Sequence, residues 1–204
     1  MQARAYHHGN LRPALVEAAL ERLERDGVEG LTLRALAAQV GVSHAAPYAH
    51  FRDKNALLAA VAAAGFRALG RALRAAGEAS GAPAAERLAR MGAAYVAFAR
   101  ARPALYALMF NRAAQAARSE ELDEAADAAW AELNEAVAAS VPAAQTRVAA
   151  VAAWSLVHGL ASLLIGGRLR VAESEAALVE SVTRLFAERL SAAGSADPAA
   201  RTRA

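Results

Sequence analysis

Apolar positions recur at helical spacing through almost the whole chain, and short clusters of glycine, proline and polar residues interrupt them. Leu11, Leu15, Ala19 and Leu23 stand at four-residue steps, with Val16 and Leu20 widening the stripe, so a first amphipathic helix is predicted from near Asn10. Asp26-Gly27 closes it, because glycine takes the left-handed conformation past a helix end without a Cβ clash. Thr32 is placed to cap a short second helix carrying Leu33, Leu36, Ala37 and Val40 on one face. Gly41-Val42-Ser43 breaks that helix. Ser43 can cap a third short helix over His44 to Phe51, and Asp53 a long fourth one reaching about Ala76. Gly77 to Pro83 is a small-residue connector and the best candidate boundary. Further helices are predicted near 84–101, 103–112, 120–140, 144–166 and 174–192. Their breaks are Pro103, the polar 111–119 stretch, Pro142, Gly166-Gly167 and Gly194-Ser195. The expectation is an all-α protein of about nine helices, with 193–204 read as a disordered tail.

Composition sharpens that picture. Alanine, leucine, arginine and glutamate, all strong helix formers, dominate the sequence. A length of 204 residues suits one large or two small domains. The absence of cysteine excludes disulfides, zinc–thiolate sites and cysteine nucleophiles, and fits a reducing cytoplasm. Tyr6-His7-His8-Gly9-Asn10 is polar, so no secretory signal is expected. The net charge of +3 is unevenly spread. Residues 1–54 hold seven basic and six acidic groups; residues 55–116 hold eight arginines against Glu78 and Glu86; residues 117–204 hold eight basic and twelve acidic groups. The front half is therefore the end expected to meet a polyanion.

Two short helices joined by a three-residue turn, with small Ala37 four positions before Gly41, meet the geometric needs of a helix-turn-helix, although any all-α core contains such pairs. The wider string is more specific. Tyr6 to Arg12, then Leu31-Thr32-Leu33-Arg34-Ala35-Leu36-Ala37, then Gly41-Val42-Ser43-His44-Ala45-Ala46-Pro47-Tyr48-Ala49-His50-Phe51-Arg52-Asp53-Lys54 closely resembles the DNA-binding domain of TetR-family regulators, almost without gaps over 6–62. The resemblance implies that Thr32, Tyr48, His50 and Lys54, the only lysine, grip phosphates. It implies that Arg34, Ser43, His44 and Ala45 lie near base edges, and that Phe51, Leu36, Val40 and Leu57 form the small core. Tyr48 has a core reading beside this one, and His50 a solvated one. His7 and His8 read as a mobile arm rather than a metal site. Pro47 and Asn55 depart from the family pattern. Pro47 lacks an N–H and strains the preceding turn, so the third helix should start late or irregularly. Ala45, Ala46 and Ala49 offer almost no hydrogen-bonding groups, leaving readout to His44, Arg34, the arm and methyl contacts with thymine.

In the second half, Trp154-Ser155-Leu156-Val157-His158-Gly159-Leu160 resembles a Trp-His-Gly signature of one group of TetR-like C-terminal domains. Trp154 and His158 are four apart, so they share a helix face, as ligand contacts or as packed core. The uncharged run Val148 to Gly167 is long enough for a membrane span, but its serines, histidine and alanines suit a buried interface helix equally, and no membrane is expected. The resemblance implies homodimerisation through helices near 144–166 and 174–192, the second carrying Leu178, Val182, Leu185, Phe186 and Leu190. It also implies a pocket for a small, largely apolar effector among Phe66, Tyr95, Phe98, Tyr106, Met109, Phe110, Trp130, Trp154 and His158.

The expected organisation is thus a DNA-binding domain over 1–55, a ligand-binding and dimerisation domain over 56–192 and the tail. Its expected role is a repressor released from a palindromic operator on double-stranded DNA. The alternative is a ligand-independent architectural or protein-interaction protein. An enzyme is not expected. Glu-x-x-His pairs for a di-metal centre are missing, as are a phosphate-cradling glycine loop and a nucleophile–base set. Glu120, Glu121, Asp123, Glu124 and Asp127 read as a solvated face, and no metal or cofactor is implied.

Overall fold

The computed structural model of the protein describes residues 11–78, 81–111, 119–169, 172 and 174–195. Among them are eight α-helices: α1 (Leu11–Asp26), α2 (Leu33–Val40), α3 (Lys54–Gly77), α4 (Ala84–Ala101), α5 (Pro103–Met109), α6 (Glu120–Ala138), α7 (Thr146–Ile165) and α8 (Glu175–Ser195). Two single-turn 3-10 segments, Ala46–Ala49 and Ala143–Gln145, complete the described set, and no strand occurs in it. The expected breakers act where they stand: Gly27 has φ +68° and donates to Leu23 O at 2.9 Å, and Gly167 has φ +62°. The last helix runs past its expected end at 192. The His7–His8 arm, most of the 111–119 break and residues 196–204 of the expected tail lie outside the described residues.

The chain packs as two units, Met1–Arg67 with Arg102–Ala126, and Ala68–Ala101 with Asp127–Ala204. In the first, α1 packs on α2, α5 and the Ala46–Ala49 turn. Leu15, Leu23, Leu36, Phe51 and Leu57 are buried at its centre, as expected of the stripes, whereas Val40 is only half-buried. Glu24 supplies a join that the chain's spacing does not announce. Its carboxylate accepts from Ala104 N at 3.2 Å and Leu105 N at 2.9 Å, filling the N-terminus of α5, where Pro103 has no N–H to give.

In the second unit α4 packs against α8 and α7. Leu88, Tyr95 and Ala99 are buried on α4, as are Ala150, Ala153, Val157 and Ala161 on α7 and Val179, Thr183 and Ala187 on α8, while Met91 turns toward Gly77 of α3. Gly92 makes the close packing of α4 on α8 possible, since a Cβ there would stand 2.9 Å from Thr183 Cγ2. Arg100 donates at 3.1 Å to Leu164 O, a carbonyl at the end of α7 that also accepts from Gly167 N, and pairs with Glu175 at the start of α8. Two segments, Lys54–Gly77 and Ala143–Ile165, are long and apolar enough to cross a membrane by length and composition.

Gly41, at φ +79°, ends α2 and lets its own amide and that of Val42 reach Ala37 O, the latter at 2.9 Å. No atom lies within 4 Å of where its Cβ would be, so only backbone strain opposes a side chain. Gly41→Ala is expected to cost about 1–2 kcal/mol, read as a lower urea midpoint with an unchanged slope.

Candidate nucleic-acid interface and aromatic clusters

The candidate reading head is built by local chemistry. Thr32 sits in extended backbone (φ −133°, ψ 144°), and its Oγ1 accepts from Ala35 N at 3.1 Å, starting α2. Leu33, Leu36 and Ala37 turn inward, and Arg34 is exposed on the flank of that face. After the Gly41 turn comes the largest departure from expectation. The region 44–51 is not an α-helix but one 3-10 turn, Ala46–Ala49, and Ser43 does not cap it: the cap position is Ala45, without a side-chain bond. Pro47 explains both. It has no amide to give, and its carbonyl takes the amides of His50 (3.0 Å) and Phe51 (2.9 Å) while Ala46 N reaches back to Ser43 O (3.0 Å). The expected three-helix head is therefore two α-helices and a 3-10 turn ahead of α3. Asp53 then caps α3 by accepting from Ala56 N at 2.8 Å. That bond and Arg52, against some desolvation, hold its carboxyl below the ordinary range.

Thr32, Arg34, Ser43, His44, Ala45, Tyr48 and His50 are all exposed, and Lys54 is half-buried. Tyr48 is 57% exposed, which removes its core reading. Between residues 11 and 54 every arginine but Arg34 is tied within the protein. Arg12 pairs with Glu121, Arg22 and Arg25 with Asp26, and Arg52 with Asp53. Arg34, His44, Tyr48, His50 and Lys54 make no side-chain hydrogen bond or ion pair among the described residues. These groups, with the exposed Ser43 hydroxyl, keep their donors free for an external acceptor.

The pairing of Arg12 with Glu121 is not legible in the sequence, which places Glu121 on a solvated face. The Arg12 guanidinium lies 5.3 Å from the Phe51 ring centroid, backing the residue that closes the reading turn. Glu121 binds Arg12 and, at 2.8 Å, Arg67. Desolvation opposes the charge on Glu121, but the two arginines outweigh it and keep the carboxyl below its usual range. The acidic run is thus only partly a solvated face: Glu120, Asp123, Glu124 and Asp127 are exposed, and Glu121 is a structural clamp.

The nine candidate pocket residues fall into two sets. In the first unit Phe66, Tyr106 and Phe110 meet edge-on, with centroids 5.6 Å (Phe66–Phe110) and 5.2 Å (Tyr106–Phe110) apart, and buried Met109 lies against Gly65. In the second, Trp130 and Trp154 meet at 5.8 Å and Trp154 and His158 at 5.7 Å, while Phe98 is half-buried on α4. The Tyr95 hydroxyl accepts from Trp154 Nε1 at 3.3 Å and lies 3.1 Å from His158 Nδ1. With the indole donating, the phenol proton is available to a neutral imidazole. A separate cleft of about 290 Å³ between α3, α4 and α6 contains none of the nine. Arg74, Glu78, Arg87, Glu132 and Glu135 give it a charged wall, unlike the apolar lining expected of the effector site. No metal-ligand cluster occurs among the described residues.

Burial lowers the His158 pKa from its ordinary 6.5. The unfolded chain then binds more protons than the folded one just below that value, so stability falls as the pH drops through it. His158→Gln is expected to flatten this acid limb in urea titrations between about pH 7 and pH 5, where the parent protein loses stability.

The described residues are helical without a strand, and α2, the Gly41 turn and the 3-10 reading turn ahead of α3 follow the plan of helix-turn-helix DNA-binding folds, with the second helix shortened to one turn. Residues 15–61 match the family described as bacterial regulatory proteins, tetR family, and residues 88–186 match the tetracyclin repressor-like C-terminal domain. The class C tetracycline repressor protein of Escherichia coli is 51% identical over 53 residues, 26% of this chain and 24% of that protein. The chain thus aligns with about a quarter of the length of its curated relatives. A protein of unknown function from Rhodococcus sp. RHA1 is 37% identical, with a TM-score of 0.80 over 93% of this chain and 100% of that one. A tetR-family regulatory protein from Rhodococcus RHA1, 20% identical, shares the fold with a TM-score of 0.65 over 92% of this chain and 98% of that one. The chain belongs to the tetR family of bacterial regulatory proteins.

Proposed function

We propose that this protein is a cytoplasmic, ligand-responsive transcriptional repressor that binds a palindromic operator as a homodimer and leaves it when a small, largely apolar effector binds. The observation that carries this reading is the unpartnered set Arg34, His44, Tyr48, His50 and Lys54 around the reading turn, where the neighbouring arginines are all tied. DNA binding is assigned to 1–55, effector binding and dimerisation to 56–192. Apolar side chains left open on the last two helices support the dimer: Val148 is 75% exposed and Leu185 57%, with Val151 and Leu163 beside them. The same face of a second copy would cover them, in a dimer rather than a membrane. Two reading turns about 34–36 Å apart then hold both halves of a palindrome.

The Trp130–Trp154–His158–Tyr95 cluster, half-open and with a satisfied polar node, is the best candidate for effector contact. For near-complete release, the effector must bind the released state ~10⁴-fold more tightly than the DNA-bound one.

The test is fluorescence anisotropy of the purified protein on its own upstream intergenic DNA and on a scrambled duplex, across several salt concentrations. A preference of ~10³-fold or more for the upstream duplex is the expected result. Equal, steeply salt-dependent binding to every duplex tried would favour an architectural protein instead. No binding by a folded dimer would overturn DNA recognition altogether.

A further inference from the structure

The reading turn has an inner side and an outer side of opposite chemistry. Pro47 is buried and its carbonyl holds the amides of His50 and Phe51, so the turn is pinned in one orientation. Ala45 and Ala49 are exposed, and Ala46 is half-exposed. The amides of Ala46 and Tyr48 are also spent within the turn, on Ser43 O at 3.0 Å and Ala45 O at 3.2 Å. From Ala45 to Ala49 the outward surface therefore presents methyl groups and the Tyr48 ring, with the phenol as its only side-chain donor. Hydrogen-bonding side chains stand only at its margins, Ser43 and His44 in front, His50 behind and the unpartnered Arg34 on α2.

We infer that this protein reads its operator chiefly through thymine 5-methyl groups, packed against Ala45 and Ala49, with a guanine contact from Arg34 at the margin. This inference rests on the regulator reading above. In the major groove a methyl surface without donors can tell only one base from the others by direct contact, because thymine alone carries a methyl there. Alanines at these positions make bidentate amide readout of adenine impossible along the turn. The half-site so specified contains one or two obligatory thymines whose partners across the groove are not contacted.

The experiment starts from duplexes enriched out of a random pool, so that it does not depend on where the operator lies. Each thymine in an enriched half-site is replaced singly by deoxyuridine, which removes the methyl and nothing else. One or two positions per half-site should lose about 4-fold in affinity, the value of one buried methyl-sized group. Ala45→Gly or Ala49→Gly should weaken the thymine duplex by a similar factor and abolish the thymine–uridine difference at one of those positions, a coupling that a merely structural change would not produce. Unchanged affinity on every uridine duplex, with strong preference for the enriched sequence intact, would overturn thymine-methyl readout while leaving the regulator standing. Failure to enrich any sequence from the pool would sink both.

Discussion

Gly92→Val is expected to cost the second unit ~3 kcal/mol, the upper end of overpacking penalties, and to lower the melting temperature by roughly 6–12 °C. The site leaves no room for even the first added atom. A Cβ on Gly92 would stand 2.9 Å from Thr183 Cγ2, 3.3 Å from Thr183 Cβ and 3.3 Å from Val157 Cγ1. Thr183 cannot swing away cheaply. It is buried, and its hydroxyl bonds Val179 O at 2.9 Å and Glu180 O at 3.2 Å, so another rotamer would strand a polar group in the core. Val157, being β-branched, is stiff at χ1. Gly92→Ala should cost less than valine, and Thr183→Ala should largely restore it by vacating the contested volume. Urea titrations of the two single variants and the double variant measure that coupling. Additive losses would mean that α4 and α8 are not held at this distance by the Gly92–Thr183 contact.

The same residue pair shows where the sequence is legible and where it stops. Helix existence and limits were readable because their causes are local: Thr32 and Asp53 as caps, Gly27 and Gly41 as left-handed ends, Pro103 at a first helical position. A cap or a turn acts within four residues, and four residues are on the page together. Gly92 and Thr183 are not, and neither are Glu24 with Leu105 or Arg12 with Glu121, which lies 109 positions on. Spacing says nothing about such partners until the topology is known. An aromatic count likewise cannot tell that Phe66, Tyr106 and Phe110 gather in one unit and Tyr95, Trp130, Trp154 and His158 in another. Pro47 lies between these cases. Its missing amide announced an irregular element, but only the geometry shows that its carbonyl draws two amides and tightens the segment into a 3-10 turn.

On the proposed reading, Arg34→Ala and Lys54→Ala should weaken DNA binding in two different ways, and the difference is the sharpest check on how the head works. Arg34 is exposed, has no partner to orphan, and stands on the flank of the face that buries Leu33, Leu36 and Ala37. Its removal should leave the urea midpoint where it is and cost about 1–3 kcal/mol, or roughly 5–150-fold, on the preferred duplex. On a scrambled duplex it should cost far less, so the specificity ratio falls. Lys54 stands at the first position of α3, beside the Asp53 cap, and its proposed partner is a phosphate rather than a base edge. Lys54→Ala should weaken both duplexes alike and reduce the slope of log affinity against log salt by about 0.9. The roles follow from charge geometry: a planar fork of donors discriminates among base edges, and a point charge does not. Should Arg34→Ala weaken the two duplexes equally and change the salt slope, its guanidinium sits on a phosphate, and base discrimination passes to His44 and the methyl face of the turn.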